Sequence, residues 1–183
     1  MTHFVSRAGL KLEHALAHFG LDVAGLVCAD FGCNVGGFTD CLLRRGAVKV
    51  YAIDTGYGAL DYRLRTDHRV VPMERTNAMH VALPERVDLV TIDVAWTRQA
   101  KILPSAHRVL RAGGEVVSLI KPHYESAPTS PRAGVLPEAE VGPVVTAVLK
   151  QARAAGFEPV GTVGSPIKGS KGNVEILCRL KRL

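Results

Sequence analysis

The chain has 183 residues, 47% of them hydrophobic and 22% charged, a globular balance whose length suits one domain with a substantial core. No apolar run approaches a membrane span, and the amino terminus lacks the charged, apolar and cleavage regions of a secretory leader, so the reading is of a cytoplasmic protein without membrane association. Lys and Arg number 23 against 17 Asp and Glu, a net charge of +6, which favours a polyanionic partner.

The predicted elements follow in chain order within a single domain over 1–183. Leu10, Leu12, Ala15, Leu16 and Phe19 recur at helical spacing after Ser6, a natural N-cap, and Gly20 follows as a stop, giving an N-terminal helix within 1–20. His14 and His18 share a face of it, but no third ligand is evident and they read as solvated histidines, with no metal expected. A strand over about 26–31, a helix over about 36–45 and a strand over about 48–54 come next, then a short helix near 58–65 and a brief strand at Val70-Val71. Residues 87–93 form a continuous apolar run of the kind a parallel sheet buried on both faces demands. A helix from Thr97 to Arg111 stops at Gly113-Gly114, and Glu115 to Lys121 supplies the fifth strand. Pro128, Pro131, Gly134 and Pro137 mark 122–143 as one long loop. Helix then resumes to about Ala155, and two last strands, about 157–163 and 173–182, flank a glycine- and lysine-bearing loop. The alternation predicts an α/β fold, a Rossmann-like doubly wound and mostly parallel sheet with an antiparallel last strand. Cys28, Cys33, Cys41 and Cys178 lack metal or disulfide spacing and read as small buried thiols.

The stretch from Asp30 to Asp54 reads as strand, glycine loop, helix, and a second strand closed by an acid, which is how such sheets build a nucleoside pocket. A dinucleotide needs small residues where its pyrophosphate passes, and Asn34 stands where the second glycine of Gly-x-Gly-x-x-Gly belongs. Gly36 and Gly37 come later and would let the helix start approach a ligand without phosphate. Asp30 and Asp93, at strand tips, would set carboxylates near a cationic sulfonium. The pattern favours S-adenosylmethionine over NAD, with Gly32, Asn34 and Asp54 around the ligand, and Tyr57 after Asp54 able to pack on adenine or equally within its own loop.

Lys11 before the first strand, Asp93 ending the fourth, Lys121 ending the fifth and Glu175 in the last are the ionisable residues placed for chemistry. A hydroxyl attacking a sulfonium methyl needs a base, and a lysine serves when its amine is partly neutral. Burial and a second cation both disfavour an ammonium ion, and Lys11 beside Lys121 would supply the second effect. An ion-pair network at a strand edge is the competing reading for each residue alone. Arg7, Lys168 and Lys171, with Arg179, Lys181 and Arg182, would form a phosphate-binding rim if the termini converge beside the crevice.

Ser6-Arg7-Ala8-Gly9-Leu10-Lys11-Leu12, Gly36-Gly37-Phe38-Thr39-Asp40-Cys41-Leu42-Leu43, Glu74-Arg75-Thr76-Asn77-Ala78, Ile92-Asp93-Val94, Lys121-Pro122 and Ser165-Pro166-Ile167-Lys168-Gly169 through to Glu175 together resemble the haemolysin A branch of the FtsJ-like RNA methyltransferases, from about Val5 to the end. The resemblance implies an S-adenosylmethionine-dependent ribose 2′-O-methyltransferase acting on ribosomal RNA. It implies a catalytic set of Lys11, Asp93, Lys121 and Glu175 with Lys121 as general base. It implies cofactor contacts at Gly36, Phe38, Asp54, Asn77 on the adenine side and Asp93. Arg7, Lys168 and Lys171 are candidates for RNA phosphate contacts on charge and position. Members of the branch carry an S4-like RNA-binding domain ahead of the first helix. This chain is read as lacking it, which would leave RNA recognition to a separate domain or protein. Ala95-Trp96 and His123-Tyr124 depart from the family pattern beside the catalytic pair. Trp96 is a candidate for stacking on a base or for covering the sheet edge. The competing function is a catalytically idle module that holds S-adenosylmethionine or RNA.

Overall fold

The computed structural model describes residues 4–126 and 135–183. Helix α1 (Ala8–Phe19) buries Leu12, Ala15 and Leu16 along one stripe and ends at Gly20, whose left-handed backbone (φ 59°) turns its N–H onto the last carbonyls. Ser6 lies one residue outside the cap position, and its hydroxyl accepts from the Ala8 N–H at 3.3 Å. The short apolar runs become β1 (Val27–Phe31), α2 (Gly37–Arg44) and β2 (Lys49–Ile53). The chain continues through α3 (Tyr62–Arg65), β3 (Val70–Met73) and β4 (Val87–Ile92).

Two boundaries differ from the sequence reading. Helix α4 (Gln99–Val109) ends early, and β5 (Leu110–Ile120) starts where a helix end and glycine stop were expected. Gly113 and Gly114 lie inside the strand at a register shift against β4. A side chain on Gly114 would meet the Asp88 and Arg111 carbonyls, so the pair makes an irregular strand rather than a helix terminus. The segment 122–143 holds helix at both ends: α5 (Pro122–Glu125), and α6 (Glu138–Ala154), which runs through Pro143. Pro128, Pro131 and Gly134 lie outside the described residues. The chain closes with β6 (Phe157–Gly164) and β7 (Ile176–Arg182).

The seven strands form one sheet in the order β3-β2-β1-β4-β5-β7-β6. All neighbours from β3 to β5 are parallel, and β7 alone runs against the rest, inserted between β5 and β6. One face carries a core built on Phe31, Ile92, Ile102, Leu103 and Phe157 beneath α4 and α6. The other is packed by α1 and α2 through Leu12, Leu16, Phe38 and Leu42. Burial on both faces is why β1, β2 and β4 are apolar without alternation. The strand order reverses at β1 and β4, so a crevice opens above their carboxyl ends, where open α/β sheets bind ligands.

Candidate active site

Four strand ends feed this crevice: β1 runs out to Gly32, β2 to Asp54, β4 to Asp93 and β5 to Lys121. A cavity of about 410 Å³ lies over the first three, lined among others by Gly32, Asn34, Asp54, Asn77, Asp93 and Trp96. Gly32 is left-handed (φ 84°), and a side chain there would collide with the Asp93 carbonyl 2.5 Å away, so only glycine lets the two strand exits lie together. Asn34 is left-handed too (φ 48°), and its N–H donates to Asp54 Oδ2 at 2.9 Å. Gly56 N–H donates to Asp54 Oδ1 at 2.7 Å, so two backbone amides aim this carboxylate across the cavity mouth. Asn77 accepts from the Met79 N–H at 2.9 Å and fixes the opposite wall.

Five of the nine residues expected to bind cofactor therefore line this cavity: Gly32, Asn34, Asp54, Asn77 and Asp93. The structure puts the other four elsewhere. Asp30 is fully buried, its two oxygens taken by the Thr39 and Thr91 hydroxyls at 2.7 and 2.9 Å. A side chain on Gly36 would strike Leu60 and Leu64, and one on Gly37 would strike Ser6 and the Gly9 N–H. Helix packing requires both glycines. Phe38 is core, against the α1 side of the sheet. Thr55, Thr76 and Thr97, which the sequence reading passed over, line the cavity. Thr55 and Thr76 are each one residue from a predicted contact, Asp54 and Asn77, and that adjacency was the available signal.

The quartet of ionisable residues forms two pairs. Lys121 Nζ contacts Asp93 Oδ1 at 2.6 Å and donates to the Val94 carbonyl at 3.1 Å. Lys11 Nζ donates to Glu175 Oε2 at 2.5 Å, with both residues buried. The antiparallel register sets the pairs side by side: Ile120 of β5 pairs with Ile176 of β7, so Lys121 and Glu175 are the next residues facing each other across the ladder. Lys11 reaches them because α1 packs on the face where β7 lies. Two elements far apart in sequence thus deliver amine and acid to the end of the crevice that Asp93 shares with the cavity.

Trp96 is 82% exposed on the cavity rim, its ring 5.6 Å from that of Tyr124. His123 lies beneath, in the first turn of α5, and is buried. Arg7, Lys168 and Lys171 are all exposed, the last two on the loop between β6 and β7 that ends at Glu175. The C-terminal cations do not join them. Because β7 runs antiparallel, it carries Arg179, Lys181 and Arg182 to the opposite end of the sheet, where Arg179 pairs with Glu115 and Arg182 donates to the Leu110 carbonyl. The four cysteines are free and buried, and burial pushes their thiols well above the usual range.

A crevice at the strand-order switch, an acid closing β2 and a reversed seventh strand describe a nucleoside-binding methyltransferase sheet. The FtsJ-like methyltransferase family model matches residues 4–182. Hemolysin A of Brachyspira hyodysenteriae is 38% identical, over 96% of this chain and 75% of that protein. The 16S/23S rRNA (cytidine-2'-O)-methyltransferase TlyA of Mycobacterium tuberculosis is 40% identical, over 97% of this chain and 68% of that protein. A solved structure from Lactococcus lactis, named for a hemolysin, is 40% identical and superposes with a TM-score of 0.94 over 99% of this chain and 89% of its own. An S-adenosylmethionine dependent methyltransferase from Mesorhizobium loti, 16% identical, covers 92% of this chain and 96% of its own at a TM-score of 0.69 and shares the fold. The chain belongs to the FtsJ-like methyltransferase family, in its haemolysin A branch, as the sequence motifs implied. S-adenosylmethionine is the methyl donor of this class. The cavity lining fits it: among the described residues two aspartates and no lysine or arginine line the space, which suits a cationic sulfonium.

Proposed function

We propose that this protein methylates ribose 2′-oxygens of ribosomal RNA, using S-adenosylmethionine, with residues 1–183 acting as one domain. The observation that carries the reading is the quartet at the cavity's end, Lys121 with Asp93 and Lys11 with Glu175, both pairs in direct contact. Asp54, Asn77, Gly32 and Asn34 would hold the nucleoside part of the donor, and Asp93 would face its cationic end. The bound donor supplies an electrophilic methyl group. In its neutral, unprotonated form Lys121 Nζ takes the proton of the attacking 2′-hydroxyl, because an un-ionised alcohol is a poor nucleophile. Asp93 and the Val94 carbonyl orient that amine, while Glu175 orients Lys11, which steadies the substrate oxygen.

The RNA assignment rests on the relatives and on charge. The Mycobacterium tuberculosis relative is named for 16S and 23S rRNA, and the net charge of +6 suits a polyanion. Trp96, exposed beside Tyr124, offers a ring face to an unstacked base next to the reacting ribose. Arg7, Lys168 and Lys171 would meet flanking phosphates, with further RNA contacts made by a separate domain or protein. Such a substrate would be met in the cytoplasm. Among the described residues no helix is long and apolar enough to cross a membrane.

Incubating the protein with methyl-labelled S-adenosylmethionine and intact 30S, 50S and naked ribosomal RNA, then digesting to nucleosides, tests the proposal. Label is expected in a 2′-O-methylnucleoside. Label on a base, or none on any RNA despite cofactor binding, would contradict it, the latter favouring an idle binding module.

A further inference from the structure

His123 is the one described residue whose buried side-chain polar atoms lack any hydrogen-bond partner in the chain. It is 8% exposed, and both ring nitrogens are shut away from solvent. Buried polar atoms are seldom left so, and an exception calls for a function or an absent partner. Its place is informative. Lys121 caps α5 and Pro122 opens it, so His123 sits within the first turn, two residues from the amine that contacts Asp93. Its ring centroid is 4.1 Å from that of Tyr124.

Charged groups act on the imidazole from two elements. Glu175, from the approach to β7, favours its protonation; Lys121, from the end of β5, opposes it. Burial is the largest influence and holds the imidazole below the ordinary histidine range. Helix α6, which packs on α5, contributes no charge to this balance among the described residues. The carboxylate that would welcome a protonated His123 is thus the one already committed to Lys11 at 2.5 Å.

We propose that His123 is a positioning residue that gates the quartet by its own charge. Neutral, it leaves Glu175 wholly to Lys11, and transfer proceeds. Protonated, it gains its missing acceptor by taking a share of Glu175, loosens Lys11 and slows transfer. The proposal rests on the reading of these four residues as the transfer machinery.

Two measurements on the full chain test it. In the first, histidine-selective isotope labelling follows His123 by NMR from pH 4.5 to 8.5, its signal assigned by its loss in His123→Gln. Its midpoint is expected below the ordinary value of about 6.5, and lower still in Glu175→Gln. Should that variant fail to fold, Lys121→Met is expected to raise the midpoint. A midpoint near 6.5 that ignores both changes would overturn the coupling. In the second, single-turnover methyl transfer is compared between His123→Gln and the unmodified protein at each pH. The ratio of the two rates is expected to be constant above about pH 7 and to climb toward tenfold per pH unit below the His123 midpoint. A ratio that stays flat down to pH 5 would overturn the gate. If the unmodified protein transfers no methyl at any pH, the functional reading fails, while the NMR arm still decides whether His123 answers to Glu175.

Discussion

Asp30 illustrates how far a single residue's chemistry can depart from what its position in a motif implies. At the tip of an apolar strand it reads as a ligand for a sulfonium, yet strand alternation turns its side chain inward, where the Thr39 and Thr91 hydroxyls close over it. Burial raises its carboxyl to about 7, overriding those two hydrogen bonds, and the nearby Asp93 charge pushes the same way. The unfolded chain gives up this proton near pH 3.9. Between about pH 4 and 7 the native state therefore binds more protons, and the contribution of Asp30 to stability declines as pH rises. Urea unfolding of the unmodified protein and of Asp30→Asn should show their stability difference shifting against the unmodified protein across that window and levelling off above it. A difference independent of pH would contradict the burial argument. Sequence alone could not separate Asp30 from Asp54, since both end apolar strands. What separates them is position along the strand: Asp30 lies inside β1, level with Ala52, whereas Asp54 stands one residue beyond the end of β2, and those limits are set by register against neighbours far along the chain.

At the scale of elements, the strands of the parallel sheet were legible because burial on both faces leaves continuous apolar runs, as in β1 and β4. The start of β5 was not, because Gly113-Gly114 has the same local chemistry in a helix stop and a strand irregularity. The beginning of α6 was hidden by Pro143, because a proline inside a helix loses one hydrogen bond and crowds the carbonyl four residues before it, and so reads as a breaker. Gly36 and Gly37 are also needed by their helix neighbours, a role the loop pattern does not reveal. The joint between α2 and α1 needs Gly37 bare, since a side chain would meet Ser6, Ala8 and the Gly9 N–H. Overpacking of this kind costs about 1–3 kcal/mol. Gly37→Ala is therefore expected to lower the melting temperature and, because α1 carries Lys11, to reduce methyl transfer more than cofactor affinity. If calorimetry and transfer assays show both falling in equal proportion, α1 is not the element that positions the quartet.

Across the whole molecule, charge is distributed by topology rather than by sequence proximity. The two ends of the chain are both basic, and in the sequence reading they form one phosphate-binding rim only if they converge on the crevice. The antiparallel run of β7 sends the last cations to the far end of the sheet, and Arg7, Lys168 and Lys171, all exposed, remain the candidates for RNA phosphates. Each lysine or arginine that neutralises a phosphate adds about 0.7–0.9 to the slope of log affinity against log salt. Replacing Arg7, Lys168 and Lys171 with Gln should lower that slope by about 2 in RNA-binding titrations, whereas Lys181→Gln should leave it unchanged. Equal effects at both ends of the sheet would show that the RNA spans the molecule differently. The pairing of Lys11 with Glu175, separated by 164 positions, was legible only through family motifs, because no local periodicity links an N-terminal helix to the approach of the last strand. The central claim is that these distant residues meet as one proton-transfer machine at the methyl donor, and Lys121→Ala addresses it most directly. Calorimetry is expected to find S-adenosylmethionine binding within about threefold of the unmodified protein, while single-turnover transfer to ribosomal RNA falls by at least the roughly 100-fold that loss of a general base costs. Transfer at the unmodified rate would contradict the account.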